Sequence, residues 1–177
     1  MLKQKALIGQ EKRIFTSSNL ALLWNIEKKN TLWTTINRYV NREILHRLSK
    51  GLYSTLPIEN LNPYELGCAL CGPYSYVSAE SVLQSAGIIM QKVNKITLFG
   101  KKKREFTINN TAYFCRFLNI AYLLNREGIN NTGHYSIASV DRATGDMLYI
   151  NPRYHFDNNS GINMTAVNDL SKKVGYR

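Results

Sequence analysis

The apolar positions change their period along the chain, and the changes mark its elements. Leu2, Ala6 and Leu7 share one face of a helix over 2–8, and Lys12-Arg13-Ile14-Phe15 then reads as extended. Thr16 and Ser17 are good N-cap residues, because a short hydroxyl side chain satisfies backbone N–H groups left free at a helix start. Leu20, Leu23 and Trp24 follow at helical spacing, which predicts a helix over about 17–26. A polar turn from Asn25 to Asn30 precedes a second helix, capped by Asn30 or Thr31 and running to about Asn41. Its apolar side is Leu32, Ile36, Tyr39 and Val40. Ile44–Leu48 and Leu52–Thr55 then flank Ser49-Lys50-Gly51, a hairpin signal in which Gly51 suits the positive φ of a tight turn.

Pro57 opens a linker, and Asn62-Pro63-Tyr64-Glu65 combines a cap, a proline at the first helical position and an acid three residues after the cap. That helix stops at Gly72-Pro73. Tyr74–Val77 reads as a strand, and Ser78 caps a helix that ends at Gly87. Ile96–Phe99 and Glu105–Ile108 are strands joined by the cationic loop Lys101-Lys102-Lys103-Arg104. Further strands fall near Tyr113–Leu118 and His134–Ala138. Ser139 caps a helix to about Tyr149, and residues 163–173 form a last helix with Met164, Val167, Leu170 and Val174 on its apolar side. The reading is α+β, with a helix–helix–hairpin unit over 1–58 and a mixed α/β domain over 59–177.

Composition narrows the class. With 177 residues and 44% hydrophobic content, the chain can bury one core or two small ones, so a disordered basic tail is excluded. No run approaches the roughly 18 apolar residues of a membrane helix, and Met1-Leu2-Lys3-Gln4-Lys5 lacks a leader's apolar stretch. The expectation is a soluble cytoplasmic protein without membrane association. The absence of a heptad repeat points to a monomer or weak homodimer. A net charge of +11 attracts polyanions, nucleic acid first. Residues 1–60 hold 10 Lys+Arg against 4 Asp+Glu, about twice the net charge density of the remainder.

Helix, helix and basic hairpin in that order are the pattern of a winged helix-turn-helix, whose second helix enters the major groove. Thr34, Asn37, Arg38 and Asn41 recur at spacings of three and four and share one outward face. Asn and Arg pair bidentately with adenine and guanine edges, so these four are the candidates for base contact. Lys28, Lys29, Arg42, Arg47 and Lys50 are candidates for phosphate contact, which adds affinity without sequence information. Trp33 reads equally well as a DNA contact or as packing against a neighbour. Lys101, Lys102, Lys103 and Arg104 have two readings, phosphate contact or a surface for an acidic protein partner, and phosphate contact is favoured.

Other constellations favour structural roles. Cys68-Ala69-Leu70-Cys71 has metal-ligand spacing but lies in a predicted helix without a second close pair. Cys115, His46, His134 and His155 are the only further ligand candidates of those types, so the cysteines read as small buried residues and no metal or cofactor is expected. Three clustered cysteines also fit a reducing compartment rather than a disulfide framework. Asp141 suits a helix start, and Asp146 pairs with Arg142 at i,i+4. A catalytic Cys115 needs a basic partner such as His134, which sequence does not place. With no phosphate loop, metal-binding helix or nucleophile elbow, the chain reads as a non-enzyme with no catalytic residues.

Arg42 to Leu56 resembles the wing of the AbiEi-type antitoxins of type IV toxin–antitoxin (abortive infection) systems. Tyr76–Leu83 with Gly87-Ile88-Ile89, Ile96-Thr97 before the basic hairpin, and Ile137–Ala143 with Asp146–Tyr149 are similar to later segments of that family. Val140 stands where the family has proline, Asp141 is an acid one position early, and Gly145 lies inside the predicted helix, where it costs about 1 kcal/mol relative to Ala. The resemblance covers about residues 12–175. It implies an N-terminal winged helix that represses its own operon at operator repeats in double-stranded DNA. It also implies a C-terminal domain that neutralises a nucleotidyltransferase-like toxin. A module that binds such a toxin without reading DNA, and an RNA-binding accessory protein, are the competing readings.

Overall fold

Three helices and three strands build the first of two units in the computed structural model, which describes residues 2–176. Met1, Arg177 and the side chain of Leu2, expected on the apolar face of the first helix, lie outside the described residues. One unit ends at Asn62 and the other begins at Pro63, four residues beyond the expected boundary.

The first unit runs α1 (Leu2–Ile8), β1 (Ile14–Thr16), α2 (Ser17–Trp24), α3 (Lys29–Asn41), β2 (His46–Ser49) and β3 (Leu52–Ser54). Thr16 caps α2 in a reciprocal box with Asn19. α2 ends two residues earlier than the pattern predicts, because Asn25 turns left-handed at φ 51°. α3 starts upstream of the expected caps, with Lys28 at its N-cap and no side-chain bond there. The hairpin forms as predicted around Gly51 at φ 77°, with a register shift between Arg47 and Ser49. β1, expected only as extended chain, joins it to make an antiparallel sheet in the order β1–β3–β2. Leu7, Leu20, Trp24, Ile36, Tyr39 and Tyr53 fill the core, where the Trp24 and Tyr39 rings lie 5.1 Å apart. Each such buried side chain contributes about 1.5–3 kcal/mol.

In the second unit α4 (Pro63–Cys71) ends at Gly72, whose φ of 99° admits the left-handed turn. β4 is only Tyr76–Val77, because Tyr74 at φ 68° sits in a turn. α5 (Glu80–Ser85) starts after Ala79 rather than being capped by Ser78, whose hydroxyl is buried and donates to Asp146. β5 (Lys95–Gly100), β6 (Arg104–Ile108) and β7 (Thr111–Phe117) are followed by α6 (Ile120–Leu124) and β8 (Ile129–Asn131), two short elements without a periodic signal. β9 (Ser136–Ala138), α7 (Val140–Ile150) and α8 (Met164–Val174) complete the unit.

The six strands form one mixed sheet in the order β6–β7–β5–β4–β9–β8. β5 and β6, joined by the basic loop, are therefore not neighbours: β7 runs between them, parallel to β5 and antiparallel to β6. α4 covers the face of Leu98 and Tyr113 through Gly67, where a Cβ would lie 2.9 Å from the Tyr113 ring. α5 covers the other face, where Ser81 and Thr97 exchange hydrogen bonds of 3.0 and 2.8 Å. Gly145 in α7 serves a packing need, because a Cβ there would lie 2.9 Å from Ser171 Oγ of α8. On α8, Val167 and Val174 are buried, but Met164, expected on the apolar side, is 45% exposed in the first turn.

Candidate nucleic-acid interface

α3 is a 13-residue helix, about 20 Å long at 1.5 Å per residue. Its inward face is Leu32, Thr35, Ile36 and Tyr39, all buried. That packing turns Thr34, Asn37, Arg38 and Asn41 outward, and all four are exposed along one face. Trp33, 39% exposed, lies beside them rather than in the core. Thr34 donates its hydroxyl to Asn30 O at 2.9 Å, which leaves its oxygen and methyl free to face a ligand.

The hairpin meets this face through one side chain. Arg47 in β2 donates from Nη2 to Asn37 Oδ1 at 3.3 Å, and its guanidinium lies 5.7 Å from the centre of the Tyr53 ring. Tyr53 is Arg47's cross-strand partner and is fully buried, so the base of the arginine is fixed while its head reaches the helix. Asn37's carbonyl oxygen is thereby occupied and its amide N–H groups stay available. The periodicity of α3 carries no trace of this link.

Four further cations of the unit stand at the ends of α3 and in the hairpin turn. Lys28 and Lys29 mark the N-terminal end of α3, Arg42 caps its C-terminal end, and Lys50 stands in the hairpin turn; all are exposed. The sequence places Lys28 and Lys29 in a polar turn, but Lys29 is already helical, because the backbone bonds start at Leu32 N to Lys28 O. The hairpin turn is short and anchored: Gly51 O accepts from Ser17 N at 2.9 Å.

The tetrad of the second unit is splayed rather than clustered. Lys101 Nζ lies 6.0 Å from the Tyr74 ring centre and Lys103 Nζ 5.9 Å from that of Phe114. Arg104 donates to Leu70 O at 2.8 Å and covers the Phe106 ring at 5.8 Å.

The other candidates take structural places. Asp146 and Arg142 pair at 2.8 Å as the i,i+4 spacing predicts, and both are fully buried. Asp146 also accepts from Ser78, Tyr76 and Tyr176, while Arg142 donates to the carbonyls of Asn125, Glu127 and Tyr122. Burial and the adjacent Asp146 carboxylate push the Tyr76 and Tyr176 hydroxyls above their ordinary titration range. Arg142 is held charged: burial opposes the charge most strongly, but Asp146 with the Tyr76 and Tyr176 hydroxyls together outweighs it and raises the guanidinium's pKa. This network fastens α6, the loop that follows it, β4 and α7 together, and Arg142, Asp146, Tyr76 and Ser78 are all fully buried.

Burial raises the Cys68 thiol to about 11, and its sulfur contacts Ser136 O at 3.7 Å. Cys115 is buried and Cys71 half-buried. His134 lies 3.9 Å from Glu65, and His46 and His155 stand elsewhere. Among the described residues, no three His, Cys, Asp or Glu side chains are grouped to hold a metal ion, and no helix is long and apolar enough to cross a membrane. The sequence matches no protein-family model and no curated protein.

Proposed function

We propose that the first unit is a winged helix that reads duplex DNA with α3, and that the chain is a sequence-specific transcriptional regulator. The observation that carries this reading is the exposed row Thr34, Asn37, Arg38 and Asn41, joined to the hairpin by Arg47 at Asn37. A major groove about 12 Å wide admits one helix, and the row supplies a donor fork in Arg38 and amide edges in Asn37 and Asn41. Lys28, Lys29, Arg42, Arg47 and Lys50 then meet phosphates on either side. Arg104, bonded to Leu70, and Lys103, beside the Phe114 ring, take local roles instead of meeting phosphate.

The resemblance of the second unit's segments to AbiEi antitoxins supports a narrower proposal. The regulator represses its own operon and counters a nucleotidyltransferase-like toxin. Fluorescence anisotropy with the duplex upstream of the coding sequence, against a scrambled duplex of equal length, tests the DNA reading. Preference for the upstream duplex that Asn37→Ala and Arg38→Ala each remove is the expected result. Equal affinity for both duplexes, or preference for RNA of the same sequence, would overturn it.

A further inference from the structure

The loop after β5 has to cross the end of β7 to reach β6, two strand spacings away, or about 9.6 Å. That crossing sets Lys101 beside the place where β7 ends and α6 begins, and Leu118 N donates to Gly100 O at 2.9 Å to hold the junction. Lys101, Phe117, Leu118, Asn119 and Ile120 line a concavity of about 360 Å³ there. Phe117 is 60% exposed, Leu124 51% and Ile120 40%, and Ile120 and Leu124 sit one helical turn apart on α6. Tyr74, 50% exposed, adds its ring under Lys101. Single exposed apolar residues are ordinary, but Phe117 and Ile120 exposed together in the wall of a hollow mark an interaction site.

Charge selects the occupant. Lys101 lines the hollow, and the exposed Lys102 follows it in the chain. At the far end of α6, Asn125 Nδ2 donates to Lys173 O at 2.9 Å, which brings the exposed Lys173, and Lys172 with its partner Asp169 at 3.8 Å, toward the end of α6. We propose that this surface docks a segment of a partner protein in which an apolar side chain enters the hollow and flanking carboxylates meet the lysines. A second copy of this chain would set these lysines near one another, which disfavours self-association. An anionic membrane needs a protruding apolar face, whereas α6 has five residues and its Ile120 lines a depression. The proposal stands whether or not α3 reads DNA.

The test uses the full chain and a fluorescein-labelled peptide of about twelve residues in which leucine and phenylalanine are set among glutamates. One control peptide carries lysine for glutamate, and another carries serine for the apolar residues. The acidic apolar peptide should bind at least about tenfold more tightly than either control, and Phe117→Ser or Lys101→Glu should each weaken it by about tenfold. Both variants should keep the parent's thermal midpoint, and Ile120→Ser serves where Phe117→Ser lowers it. Equal binding of the three peptides, no binding of the acidic one, or unchanged affinity in the variants overturns the proposal. So does capture by phosphatidylserine vesicles, or a dimer in sedimentation, that the same substitutions abolish while the peptide stays unbound.

Discussion

Arg47 Nη2 and Asn37 Oδ1 meet at 3.3 Å, so a cation of the hairpin is bonded to the middle of the outward face of α3. The contact couples the two parts of the first unit that the DNA proposal uses. Replacing Arg47 by Ala removes one positive charge that the DNA reading sets near phosphate and frees the Asn37 carbonyl oxygen. The expected outcome is weaker binding to every duplex and a log–log salt slope lower by about 1. Anisotropy titrations between low and moderate salt check this, and an unchanged slope would place Arg47 away from the backbone.

Buried charge in the second unit makes a sharper stability prediction. Arg142→Met leaves the buried Asp146 carboxylate with hydroxyl donors but no opposite charge, and breaking such a pair costs about 3–5 kcal/mol. Pairing it with Asp146→Leu removes the orphan charge, and the double variant should recover much of the loss. Urea midpoints of the three proteins decide the matter: additive losses would show that the pair is not the coupled unit its hydrogen bonds describe.

Alkaline pH should weaken the same network. The folded protein raises Tyr76 and Tyr176 above the ordinary value of 10.0, so it holds protons that the unfolded chain releases first. Their contribution is therefore fully present below pH 10 and is lost as pH rises above it. Thermal midpoints between pH 8 and about 11 should fall at the upper end, and less steeply in Tyr176→Phe.

Gly67 offers a local test of the second unit's packing. Ala is the better helix former by about 1 kcal/mol, yet its Cβ would sit 2.9 Å from the Tyr113 ring, itself buried and stacked on Phe106 at 5.0 Å. Gly67→Ala should therefore destabilise by about 1–3 kcal/mol. Adding Tyr113→Leu should reverse part of that loss in chemical denaturation, and a more stable single variant would contradict the packing described.

What could be read beforehand followed from period and capping. α3 and α7 carry regular apolar spacing and polar caps or faces, so their positions and the Arg142–Asp146 pairing were legible. Ser78 looked like a cap because hydroxyl, acid and apolar run stood in the right order; tertiary structure instead used its hydroxyl on Asp146, from which it is separated by 68 positions. The neighbours of β5 and β6 were hidden for a related reason, since strand order depends on long-range pairing that no local spacing records. Phe117-Leu118 did hold a signal: two successive apolar residues at a strand end cannot both face inward, and Phe117 is the one turned out.

A row on α3 that discriminates base sequence has to lose that discrimination when its forked donor is removed. The decisive comparison is the affinity of Arg38→Ala for the upstream duplex and for a scrambled duplex at one fixed salt concentration. Affinity for the scrambled duplex should change little more than one lost charge requires, while the preference for the upstream duplex falls by about 1–3 kcal/mol, or roughly five- to 150-fold. An Arg38→Ala protein that keeps both its affinity and its preference would contradict base reading by α3.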